Sequence, residues 1–428
     1  MQKFLQKLDK AIFALLVAWC FFAFFFKVNA LNNLSSILLG LGLLLYICLD
    51  FKTAKETFLA NLKSNLVLLI FLSVLLLGAI IISLNSYFDS SKEFSKLIRR
   101  EILFLILLMF LSWFGKKGLD TQKIIKFCFY AIIASFAINL LYFFLQDIVA
   151  IEILNRRKHS SPSIIDRYYA KQFDIFFPFC LIAIFMQNKK YVKIFLALIL
   201  CIGMAFLTLT GARGGLLTFL VTFLLIVTCF TLKKDFDKKI LLTIFSVMAI
   251  AALSFVIAIN QSPYLQKKYL HTMHSSGRNI IIKERFPLLL NSKYALRGLG
   301  AGDIQYQRFL NDQPSKVQEK LGPRTKSKEP QLYKTHFFHD EPTLLGVYWH
   351  YGVFGAFCFL IVICFIFFSG IKAFFEKNNY YIFGLSCSAF AYFFIAGLFE
   401  NHSDLKVLLS YCILYLIFKS AKFAKSAV

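Results

Sequence analysis

The stretch that opens Gln261-Ser-Pro-Tyr-Leu-Gln-Lys-Lys-Tyr-Leu270 and closes Thr335-His-Phe-Phe-His-Asp-Glu-Pro342 decides how this chain is read. It is the only long polar segment in a sequence that otherwise runs from one apolar block to the next. It holds four of the seven histidines and five of the eleven arginines, so it concentrates the chemistry-bearing side chains. The chain around it reads as scaffold. With 58% apolar residues and a mean hydropathy of +0.67, the composition is not that of a soluble domain. Apolar runs of about 18 residues or more cross a bilayer as helices. The expected fold is all-α: a polytopic transmembrane helical bundle of about 12 spans, with one large loop between spans 9 and 10.

Residues 1–260 would carry spans 1–9, 261–342 the loop, and 343–428 spans 10–12. The spans are expected near 11–26, 31–50, 65–85, 100–114, 124–150, 172–187, 191–210, 214–232, 240–260, 343–370, 379–399 and 404–421. The run 11–26, behind Lys3, Lys7 and Lys10, reads as an uncleaved first span, with a cleaved signal peptide as the alternative.

A formal charge of +25 suggests a nucleic-acid partner, but the basic residues sit in short loops between spans, where they set orientation. Lys52, Lys55, Lys63, Lys116, Lys117, Lys123, Lys189, Lys190, Lys233, Lys234, Lys372 and Lys377 all fall in alternate loops. Those loops are assigned to the cytoplasm, and no nucleic acid is expected. The arginines all fall on the opposite side, and the histidines lie on or just below it. Guanidinium suits planar, bidentate contact with phosphate, whereas topology needs only a point charge. Either codon usage produced this partition, or the outer face handles an anionic, phosphorylated ligand. All ten cysteines lie in expected spans, so disulfides and thiolate metal sites are not expected. No His-Glu-x-x-His occurs, and Asp235-Phe-Asp237 sits in a lysine-rich loop too short for a nucleotide domain.

Three stretches can carry chemistry. Thr208-Leu-Thr-Gly-Ala-Arg213-Gly-Gly215 joins two spans with almost no loop and pins Arg213 at the membrane edge. Such an arginine is either functional or an interfacial anchor. In Ser275-Ser-Gly-Arg278-Asn-Ile-Ile-Ile-Lys-Glu-Arg285-Phe-Pro287 the two arginines are seven apart, spaced to share one face of an interfacial helix kinked near Pro287. Arg297-Gly-Leu-Gly-Ala-Gly-Asp303 is a glycine-rich turn without the strand or Gly-Lys-Ser of a nucleotide loop. Finally, His339-Asp-Glu-Pro342 enters the tenth span. Asp340 and Glu341 suit helix-start caps, while His339 is placed to take a proton from a sugar hydroxyl. His350, eleven residues on, is expected on the same helix face as a satisfied polar group.

Arg213 after a short Thr-containing turn, Arg278 opening a loop helix, and Gly298, Gly300 and Gly302 occur here in a set order. His339 before a late span and Gly352-Val-Phe-Gly355 complete it. Together, over residues 170–405, they resemble the O-antigen ligase family, which includes O-antigen polymerases and protein O-oligosaccharyltransferases. The resemblance implies an inverting, metal-independent glycosyltransferase without cofactor. Such an enzyme would move a glycan from undecaprenyl diphosphate to lipid A–core at the periplasmic face of a Gram-negative inner membrane. It implies that Arg213 and Arg278 hold the donor diphosphate and that His339 is general base. Glu400, after Gly397-Leu-Phe, matches a position often acidic in the family, and Arg285 and Arg297 are possible accessories. Relatives often read His-Asn or His-Ser where this chain has His339-Asp340. The alternatives are polymerase or protein transfer with the same chemistry, and, as a different class, a transporter of lipid-linked sugars.

Overall fold

The computed structural model describes residues 2–25, 29–85, 91–149, 165–233, 262–271, 278–300, 303–322, 324–326, 335–337, 342–400, 402 and 404–421, with scattered positions between 246 and 260. The architecture is helical. The long helices are α1 (Gln2–Phe22), α2 (Asn29–Leu49), α3 (Phe51–Ser64), α4 (Leu66–Asn85), α5 (Ser91–Trp113) and α6 (Thr121–Phe143). They continue with α7 (Tyr168–Met186), α8 (Lys190–Leu209), α9 (Arg213–Leu232), α10 (Thr343–Lys377), α11 (Tyr380–Ala389) and α12 (Leu405–Lys419). Among the described residues seven helices are long and apolar enough to cross a membrane, or eight if the bent pair α3–α4 is one span.

The expected ninth span, 240–260, lies largely outside the described residues. At the expected first span, α1 begins with Lys3, Lys7, Asp9 and Lys10. At the twelfth, α12 is only 15 residues long, yet nearly all its side chains are buried. A helix apolar on every side belongs inside a bundle. Phe418 accordingly packs against Phe129 and Phe179, and Tyr411 against Phe24. Residues 51–64, expected as a cytoplasmic loop, form α3 instead, turned 90° from α4. Ala54, Phe58 and Leu62 share one side of it, and Asn61 Nδ2 donates to Leu111 O and Phe114 O, which ties α3 across the end of α5.

The part of the polar segment described here folds into a cap on α10. Leu289, Leu299, Tyr306, Leu310 and Leu321 make a second, smaller core with Tyr348 and Trp349 of α10. Two short strands, Arg324–Lys326 and Thr335–Phe337, pair antiparallel beside it. Glycines let cap and helix approach. Gly352 adopts φ +67°, breaking α10, and a Cβ on Gly298 would lie 2.5 Å from Gly352 N and His350 O. Only glycine fits either place. The backbones then bond directly, Leu299 N to Trp349 O at 2.8 Å and Gly300 N to His350 O at 3.0 Å. The glycine-rich turn is thus a packing device. His350 Nδ1 lies 3.1 Å from Gly300 O, which adds a side-chain contact between α10 and the cap. α10 begins at Thr343, and the helix face expected to join His339 to His350 rests on His339, which lies outside the described residues.

Candidate functional site

The sequence around Arg213 builds a corner. α8 ends in a turn where Thr210 Oγ1 donates to Leu207 O (2.6 Å) and accepts from Ala212 N (3.1 Å), while Gly211 takes φ +67°. α9 starts at once with Arg213. A Cβ on Gly214 would meet Phe399 at 2.9 Å, and one on Gly215 would meet Leu207 at 2.8 Å. The paired glycines therefore let the first turn of α9 sit against the chain corner at 396–400. That corner is held by Thr343, whose Oγ1 donates to Glu400 O (3.2 Å) and accepts from His402 N (2.9 Å). Thr343 lies just past Pro342, so the far end of the polar segment rejoins the bundle here. Its near end does so too, through Tyr269, whose hydroxyl donates to Thr208 O at 3.3 Å.

Between these parts lies a cavity of about 250 Å³, lined by Arg167, Lys171, Asp174, Arg213 and Glu400 among others. Arg213 and Glu400 come together here although 187 residues separate them in the chain (400 − 213). The first turns of both α7 and α9 face the cavity, and helix N-termini carry partial positive charge. Three cations and three carboxylates, counting Asp166, line it among the described residues. Asp166 Oδ1 accepts from Tyr168 N (2.9 Å), and its own N–H donates to Asp147 Oδ2 (2.8 Å), which fixes the start of α7. The volume suits a compact head group, not a whole oligosaccharide.

Lys171, Asp174 and His402 were not singled out from sequence as site residues. Asp174 is 2% exposed inside α7, within electrostatic reach of Glu400 and Lys171, and its Oδ1 has no hydrogen-bond partner among the described residues. A carboxylate inside a span is a functional flag in its own right, and that was the available signal. His402 is 1% exposed, with its ring 4.0 Å from that of Tyr392 in an edge-on contact. Neither ring nitrogen has a hydrogen-bond partner among the described residues. Burial, with the positive charge of Lys171 adding to it, pushes its pKa well below the usual histidine value. His402 is therefore neutral at pH 7, beside a charged cavity.

The other sequence candidates are not drawn into this cavity. Arg285 is 2% exposed in the core of the cap, where it donates from Nε to Leu321 O (2.8 Å) and from an NH group to the Tyr306 hydroxyl (3.1 Å). The seven-residue spacing that pairs Arg285 with Arg278 runs through a π-helical turn, Ile281–Arg285, and the Arg278 side chain lies outside the described residues. Arg297 lies elsewhere, its guanidinium 5.2 Å over the Tyr294 ring. Arg278 opens a short helix, Arg278–Ile280, and its side chain lies outside the described residues, as do His339, Asp340 and Glu341 entirely. No protein-family model matches the chain, and no curated protein matches it either.

Proposed function

We propose that this protein is a membrane glycosyltransferase of the O-antigen ligase kind. It transfers a glycan from undecaprenyl diphosphate to lipid A–core, working at the periplasmic face of a Gram-negative inner membrane from a bundle of about 12 spans. The observation that carries this reading is that Arg213 and Glu400, each singled out from sequence, line one cavity with Arg167 and Lys171 at two helix N-termini. An acceptor hydroxyl attacks the anomeric carbon, and the bond from that carbon to the diphosphate oxygen breaks. The electron pair leaves with the diphosphate, and a base takes the hydroxyl proton. Charge therefore builds on the leaving group, where guanidinium groups in a poorly hydrated site stabilise it. Arg213 and Arg278 take that role, and His339 that of base. Glu400 supports the site from within the same cavity, and Arg285 and Arg297 have no part in it.

The test is transfer with purified components. The protein in detergent, given lipid-linked donor and lipid A–core without ATP or nucleotide sugar, should yield glycosylated lipid A–core. No product under those conditions, or product only with ATP, contradicts the reading. Elongation of a second lipid-linked glycan instead would make the protein a polymerase.

A further inference from the structure

A second cavity, of about 650 Å³, shares no lining residue with the Arg213 cavity. It lies where the cap meets Ile81 and Ile82 of α4 and the helix Asp303–Asn311. Arg297 and Arg308 line it, and Asp312 is the one acidic group among its described lining residues. The cavity runs on into a groove of about 240 Å³ between α4 and α10, which shares Ile82 and Arg297 with it. Arg297 is the only charged residue lining that groove among the described ones; the rest includes Val74, Gly78, Phe354 and Cys358. The path thus turns from cationic to apolar at a single side chain. That is the profile of an amphiphile.

Gly78 strengthens the case. Glycine is a poor residue inside a helix, and no neighbour demands it here: a Cβ at Gly78 would meet nothing within 4 Å. The glycines at the cap–α10 contact are forced by backbone approach, whereas the effect of Gly78 is to leave the groove open. Above it, the Arg297 guanidinium lies 5.2 Å over the Tyr294 ring, a cation–π contact that holds the cation at the junction of cavity and groove, and guanidinium suits phosphate. The cavity is larger than a phosphate needs, and Gln305 and Gln313 line it as well, so a further polar group fits on the head.

We propose that this cavity and groove bind a membrane lipid with a phosphate-bearing, net-negative head. The head sits between Arg297 and Arg308, and one hydrocarbon chain runs past Gly78. The site does not depend on glycan transfer and is tested apart from it. The full-length protein is exchanged into detergent micelles carrying phosphatidylglycerol or phosphatidylcholine of identical chains, and retained lipid is counted by native mass spectrometry. Phosphatidylglycerol should be retained at about tenfold lower lipid concentration, since each basic side chain adds to attraction for an anionic head. Arg297→Gln with Arg308→Gln should abolish the preference. Gly78→Phe should lower retention of both lipids by the same factor, and Val74→Trp plugs the same groove should Gly78→Phe not fold. Millimolar inorganic phosphate should displace neither. Equal retention of the two lipids by the wild type, a preference that survives the double substitution, or full retention in the plugged variants overturns the proposal. So does displacement by phosphate, which would leave a headgroup pocket without a chain site.

Discussion

The two ends of the bundle carry the same sign of charge and use it differently. At one end the described cations are lysines, and they close the structure. Lys116 Nζ pairs with Asp9 Oδ1 at 2.6 Å and sits 4.1 Å over the Tyr46 ring. Lys233 Nζ donates to Phe374 O (2.7 Å), and Lys419 Nζ to Ser64 O (2.8 Å), both near helix C-termini where orphan carbonyls and the macrodipole favour a cation. At the other end Arg167 and Arg213 line one cavity while Arg297 and Arg308 line another. Among the described arginines Arg285 differs, spending donors inside the cap. A lysine at a helix end needs only to reach a carbonyl, whereas a planar fork is worth having where a planar or tetrahedral anion arrives. The difference separates a sealed end from an open one.

Substitutions that swap the two kinds of cation should break this contrast or sharpen it. The largest effect is expected at Arg213. Arg213→Lys should lower transfer by about 10²–10³-fold, nearly as far as Arg213→Ala, because removing one preorganised donor from a transition state costs that much. Lys233→Arg at the opposite end should leave the rate unchanged. Initial rates with purified donor and acceptor measure both, and a fully active Arg213→Lys would reduce Arg213 to an interfacial anchor.

Next comes Gly352. A side chain there meets Leu296 O and forces a left-handed backbone on an L-residue, so Gly352→Ala should destabilise the cap by about 2–3 kcal/mol. The change should appear as a lower thermal midpoint with faster proteolysis of 278–322. An unchanged midpoint would mean that cap and α10 are not locked. A smaller loss is expected at the sealed end. Lys116→Gln leaves the partly buried Asp9 with Trp113 Nε1 as a donor (2.9 Å), so it should cost about 1–2 kcal/mol without altering transfer. A fall in transfer at full stability would show that the lysine end is not merely structural.

The smallest effect is a pH slope. His402 has a folded-state pKa below its unfolded value, so the folded form gains stability relative to a histidine-free variant above the unfolded pKa of about 6.5, and loses it as pH falls. The slope is at most about 1.4 kcal/mol per pH unit. Thermal midpoints between pH 7.5 and 5.5 should drop for the wild type and stay flatter for His402→Phe. Parallel curves would rule out a buried neutral His402.

Much of the fold was legible because burial in lipid demands long apolar runs, and these are conspicuous in sequence. α3 was missed because its lysines outweigh an apolar face only three residues deep, and a 90° turn between helices leaves no breaker residue to read. Of the site, Arg213 was legible from its flanking glycines and Glu400 from the family likeness. Lys171, Asp174 and His402 were not, since three residues from α7 and the corner after α11 meet only once the bundle packs. The place of Arg285 inside the cap was not legible either, since its partners Leu321 and Tyr306 come from later turns of the polar segment.

The central claim is that the Arg213 cavity receives the diphosphate of a lipid-linked donor, and donor binding tests it without requiring turnover. Equilibrium binding of undecaprenyl diphosphate should weaken by about tenfold or more in Arg213→Lys, as loss of a bidentate contact to phosphate requires. Arg297→Lys keeps the positive charge at the separate lipid cavity and should weaken that binding far less, by under about twofold. Wild-type affinity in Arg213→Lys together with a loss in Arg297→Lys would contradict the account and move the donor to the other cavity.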